Sequence, residues 1–129
     1  GDGSRSTKAR VAVPYTIFTP PPLARVGLSE KQAAQQGLDT RIAVKKVAEI
    51  AAMPRPKIVG DPRGIIKFVV DALSDGILRA ALMHVDSQEV INLVALAMRQ
   101  RMGAAELRDQ IFTHPSSTEA LNEVLGQLG

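Results

Sequence analysis

A chain of 129 residues with 45% hydrophobic side chains is long enough for one domain with a modest core, and too apolar to stay unfolded. Sixteen basic residues against thirteen acidic ones give a net charge of only +3, and aromatics are 3%, which argues against nucleic-acid stacking platforms. With no cysteine there is no disulfide staple, no thiolate chemistry within these residues and no cysteine-type zinc site.

No stretch approaches the ~18 consecutive apolar residues of a membrane span. The polar start, Gly1 to Arg10, lacks a signal core and an initial methionine. Residues 1–11 are expected to be a linker from preceding domains, and residues 12–129 one folded domain. The basic residues cluster only at Arg5 to Arg10 and Arg99 to Arg101.

The run Tyr15 to Thr19 is β-rich and is stopped by Pro20, Pro21 and Pro22, which cannot donate ladder bonds. Leu23 to Leu28 resumes as a strand. Ser29, with Gln32 three residues on, reads as a capping box opening a helix over Glu30 to Gln36, closed by Gly37. Arg41 to Val47 alternates as a strand should. Pro54, Pro56 and Pro62 rule out a regular helix over Ala48 to Pro62. Gly64 to Ala72 and Ile77 to Val85 are apolar runs around the turn signal Ser74-Asp75-Gly76, a hairpin pattern. Asp71 and Asp75 read as solvated turn residues.

The period then changes. Asp86 or Ser87 is expected to cap a helix carrying Val90, Ile91, Val94, Leu96, Ala97 and Met98, ended by Gly103. That stripe reads as core or subunit contact. A shorter helix over Ala104 to Ile111 would place Leu107 and Ile111 on one face. Ser116 is expected to cap a last helix with Leu121, Val124 and Leu125, Glu119 completing a capping box. Strands with one inserted helix, followed by helices, indicate an α+β domain: an antiparallel sheet of about four to five strands packed against helices. Helical cover on one sheet face leaves the other for a partner.

Two histidines could carry chemistry. His84 ends an apolar strand with no second ligand nearby, so it reads as structural and a metal site is not expected. His114 precedes Pro115 and lies five residues before Glu119. A carboxylate there could accept the imidazole Nδ1–H, fix its tautomer and favour its charged form, as an acid–base histidine requires. The plainer reading makes Glu119 a capping residue and His114 a loop residue; both can hold together. A phosphate-binding glycine loop and a nucleophile elbow are both absent, so an independent hydrolase built on His114 lacks a nucleophile.

Three segments in register carry a resemblance: Val13 to Glu30, Gly64 to Asp71 continuing to Ile77–Ala81, and Leu107 to Leu121. Together they resemble the C-terminal dimerisation (interface) domain of the FAD-dependent pyridine nucleotide–disulfide oxidoreductases, of the glutathione reductase, dihydrolipoamide dehydrogenase and mercuric reductase type. Arg5-Ser6-Thr7, Asp86-Ser87 and Arg108 to Ser116 look like the bacterial branch that resists reactive chlorine species and hypothiocyanous acid. Arg79 stands where the family usually has glycine, Pro22 replaces a common glutamate, and His114 departs from strict mercuric reductases.

The resemblance implies a homodimeric bacterial, cytoplasmic enzyme in which NAD(P)H reduces FAD, the flavin reduces a cysteine pair and the dithiol reduces the substrate. It implies that His114 and Glu119 act as the acid–base pair of the partner subunit's site. It further implies that His114 and Pro115 approach the partner's FAD, across a peptide bond that is often cis. The cysteines, FAD and NAD(P)H sites would lie in other domains of the same polypeptide, so the fragment alone is expected to bind no cofactor and to be inactive. The alternative is a free-standing α+β dimerisation or regulatory module without catalysis.

Overall fold

The computed structural model describes residues 3, 6, 7 and 10–129. Arg5, which opens the first basic cluster and one of the branch motifs, lies outside the described residues, as does most of the expected linker. Five strands, β1 (Tyr15–Ile17), β2 (Leu23–Gly27), β3 (Thr40–Lys46), β4 (Ile65–Asp71) and β5 (Ile77–Met83), form one sheet in the order β1-β2-β5-β4-β3. Every pairing is antiparallel. The helices are α1 (Glu30–Gln35), α2 (Arg55–Ile58), α3 (Ser87–Arg99), α4 (Ala104–Arg108) and α5 (Ala120–Leu125). The α+β class and the five-stranded sheet are as the sequence indicates.

Strand alternation sends every second side chain to one face. On that face Val26, Ala80, Phe68 and Ala43 stand side by side across four strands, none more than 2% exposed. Ala24, Leu82 and Ile66 form the next row, also buried. Helix α3 covers this face over β2 and β5, and α5 covers it over β3 and β4. The other face carries the row Ile17, Leu23, Met83 and Ile65. There α1 is tied down by Glu30, whose carboxylate pairs with Lys67 and lies 3.6 Å from Arg79. Arg79 thus serves as a second anchor for α1. Ile17, Ile42, Val44 and Ile65 stay exposed beside it, so cover is heavy on one face and partial on the other.

Local chemistry explains most boundaries. The Ser29–Gln32 capping box is fully formed, with bonds of 3.1 and 2.7 Å. Gly37, at φ +67°, takes the left-handed turn that ends α1. The proline-rich stretch holds a single helical turn, α2, because Pro54 is its N-cap and Pro56 lies in its first turn, where no N–H is needed. Helix α3 does not end at Gly103. Arg101, at φ +58°, makes the left-handed turn, and Gly103 instead precedes α4. A Cβ on Gly103 would stand 2.9 Å from an Asp75 carboxylate oxygen.

Asp75 is not a solvated turn residue. Its carboxylate pairs with Arg41 at 2.6 Å and accepts the Ala105 N–H at 2.8 Å, and its carbonyl accepts the Ala104 N–H at 2.8 Å. The β4–β5 turn therefore caps the start of α4. Asp71 serves the turn itself: its carboxylate accepts from the Ser74 hydroxyl and the Leu73 N–H, which hold its pKa below the usual value.

Gly64 enters β4 at φ +131°, and a Cβ there would meet the Met83 carbonyl oxygen at 1.7 Å. At Gly37 a Cβ meets nothing within 4 Å. Gly37→Ala is therefore expected to cost roughly 1 kcal/mol, the strain of a left-handed alanine. Gly64→Ala must also move a strand and is expected to cost more than about 3 kcal/mol. Urea unfolding of both variants checks the order.

Candidate functional site

The segment from α4 to α5 is a loop held at both ends. Helix α4 stops at Arg108, earlier than the apolar spacing suggests. Leu107 is buried, but Ile111 is 98% exposed and shares no face with it. The early stop has a partner: the Asn122 side-chain amide donates to the carbonyls of Arg108 and Gln110 at 2.6 and 2.9 Å, satisfying acceptors a longer helix would have used. Phe112 turns back against the core.

His114 and Pro115 follow, joined by a cis peptide bond, as the resemblance implies. His114 Nδ1 lies 2.8 Å from Glu119 Oε1. The other carboxylate oxygen accepts the Ser116 N–H, also at 2.8 Å. Only half of the expected capping box forms. Ser116 Oγ finds no partner, and Glu119 itself takes the N-cap position of α5. The pair is asymmetric in exposure, with the His114 side chain 72% exposed and that of Glu119 only 16%. Burial pushes the Glu119 carboxyl up, but the Ser116 N–H and His114 more than offset this and leave it below its usual value. An ionised carboxylate only accepts, so the shared proton sits on His114 Nδ1.

The loop is also tied from below. The buried Ser117 hydroxyl donates to Asp86 Oδ2, and Arg55 Nε lies 3.7 Å from the same oxygen. Asp86 occupies the N-cap position of α3 as expected, yet its side chain makes no capping bond. Sequence reasoning assigned it to capping and missed the tie to Ser117, 31 residues away. A cleft of about 250 Å³ beside this tie is lined by Arg55, Asp86, Glu89 and Val90 together with the loop residues 115–118. Within α3 Val90, Ile91, Val94 and Ala97 are buried as their spacing suggests, but Leu96 faces out at 55% exposure.

His84 is buried completely and is structural. Its Nδ1 accepts the Asp86 N–H at 3.2 Å, so Nε2 carries the proton. Burial pushes its pKa down to about 4, against a smaller opposing effect of the Asp86 charge. Among the described residues no group of three or more His, Asp or Glu could hold a metal ion. No helix of the described residues is long and apolar enough to cross a membrane.

The sequence profile of the pyridine nucleotide-disulphide oxidoreductase dimerisation domain matches residues 13–125. The chain belongs to this family. It is 45% identical over 96% of its length to the probable pyridine nucleotide-disulfide oxidoreductase RclA of Escherichia coli (strain K12), of which it covers 27%. It is 35% identical over 84% of its length to a mercuric reductase of Shewanella putrefaciens, covering 19% of that protein. The solved structure of RclA, described as an HOCl-induced flavoprotein disulfide reductase, superposes on the whole chain with a TM-score of 0.92 at 43% identity, over 29% of its own length. That likeness agrees with the reactive-chlorine branch suggested by the motifs. The chain spans roughly a quarter of the length of such relatives.

His84 sets an acid limit on the domain. The unfolded chain protonates His84 near pH 6.5 and the folded one only near 4, so stability falls as the pH drops through that window. The full loss is on the order of 3 kcal/mol. Urea midpoints measured between pH 7 and 4 should fall less for His84→Gln than for the wild type.

Proposed function

We propose that this domain supplies the His114–Glu119 pair to the flavin and dithiol site of the partner subunit in a homodimeric bacterial disulfide reductase. The reading places residues 1–11 as a linker from cofactor-binding domains and the enzyme in the cytoplasm. One observation supports it above the others. An imidazole held at Nδ1 by a mostly buried carboxylate is nonetheless 72% exposed, oriented yet open to solvent.

With Nδ1–H donated to Glu119, the remaining lone pair is on Nε2, the atom that can take a proton from a thiol and return it. The Glu119 charge lies beside the ring whenever that proton is held. Its second oxygen, on the Ser116 N–H, keeps the carboxylate from turning away. A protonated imidazole favours the thiolate, the reactive form of a cysteine. The residues suit a flavin edge rather than a flavin pocket: His114 and Pro115 are exposed at the loop tip, and the sequence has no glycine-rich phosphate loop. The flavin, fed by NAD(P)H, supplies electrons to the cysteine pair in other domains of the longer polypeptide. This chain binds none of the electrons; it orients one histidine and moves one proton.

In a full-length reductase carrying this domain, His114→Gln should lower turnover with the disulfide or oxidant substrate by at least ~100-fold. FAD content and dimer mass should stay as in the wild type. An undiminished turnover would sink the assignment. For the domain alone, light scattering across a dilution series should give twice the mass of one chain; a monomer at all concentrations would mean that other domains hold the dimer.

A further inference from the structure

Among the described residues, three polar side chains are buried: His84, Ser87 and Ser117. All three serve one short segment, residues 84–87. His84 Nδ1 accepts the Asp86 N–H, Ser87 Oγ donates to the Pro22 carbonyl at 2.6 Å, and Ser117 Oγ donates to the Asp86 carboxylate. Most buried polar groups have their bonds made, and such bonds fix geometry; here only His84 Nε2 lacks a partner among the three side chains. The segment is therefore a hub joining the end of β5, the start of α3, the strand-linking prolines and the His114 loop.

Asp86 departs from what its position dictates. An aspartate at an N-cap normally accepts from its own helix, and this one does not. Its carboxylate instead holds a hydroxyl in a loop distant in sequence, with Arg55 alongside. Local rules are broken in this manner mainly at functional sites. Ser117 sits inside the span from His114 to Glu119, so its anchor fixes the middle of the loop whose ends form the acid–base pair.

We propose that Asp86, acting through Ser117, is a positioning residue for His114: it holds the loop in the shape that keeps His114 Nδ1 on Glu119. This inference rests on the reading of His114 given above for its catalytic meaning, but not for its geometry. The geometry can be tested on the 129-residue chain. Ser117→Ala removes the donor and leaves α3 untouched. Asp86→Ser keeps an N-cap side chain for α3 but is too short to reach Ser117.

Long-range proton–nitrogen correlation spectra report the His114 tautomer, and hydrogen exchange reports the Ser116 amide. In both variants the single Nδ1–H tautomer should give way to a mixture, and the Ser116 amide should exchange roughly tenfold faster, while the domain stays folded with its melting temperature lowered by no more than about 10 °C. The double variant should be no worse than either single one, since both cut the same tie. An unchanged tautomer and unchanged Ser116 protection in Ser117→Ala would overturn the proposal, and that variant decides alone should Asp86→Ser fail to fold. Loosening of the loop in these spectra, together with full turnover of His114→Gln in the longer reductase, would keep the tether and remove the acid–base reading. An unmoved loop with impaired His114→Gln would do the reverse.

Discussion

The fold depends on one packed contact, the burial of a single sheet face beneath α3 and α5. Alanine at positions 24, 43 and 80 keeps that face low, and Phe68 is fully buried in the core on it. Burying an aromatic side chain of this kind stabilises by about 2–3 kcal/mol. The small neighbours matter equally, because close-packed interiors leave no slack for an added methylene. Once this face is covered, the helix starts are fixed, and with them the two points from which the His114 loop hangs.

The loop itself has no regular hydrogen-bond ladder, so side chains hold it. Asn122 takes the carbonyls at its start, Glu119 takes the Ser116 N–H and His114, and Asp86 takes Ser117. Each of these groups comes from a helix end or the turn before one, and those helices rest on the sheet. The result is an exposed histidine on a fixed mount, which suits the role proposed for it. A mobile loop would have to be ordered at each encounter, at a cost in conformational entropy.

Most of the framework was legible in the residues. Alternation gave the strand from Arg41, apolar β-rich runs gave those from Gly64 and Ile77, and the Ser74-Asp75-Gly76 signal gave the hairpin, because all depend on short-range backbone geometry. The Ser29–Gln32 box was readable for the same reason. What was misread lay where a distant partner overrides local preference. Helix α4 was expected to reach Ile111, but Asn122 takes its last carbonyls. Gly103 was expected to stop α3, but Arg101 does so and Gly103 clears space for Asp75. Asp75 looked solvated and is bonded to Arg41 and the start of α4.

The candidate site divides along the same line. His114, Pro115 and Glu119 lie within six residues of one another, so their spacing alone suggested a carboxylate facing an imidazole, and the family resemblance gave it a role. By itself the sequence determined the α+β class, the order of the strands along the chain, and the identity of the pair. Only the tertiary structure decided that Glu119 is sheltered while His114 stands in the open, and that Asp86 serves Ser117 rather than its own helix. Exposure and long-range bonds are properties of packed elements, and no local pattern of residues encodes which elements will meet.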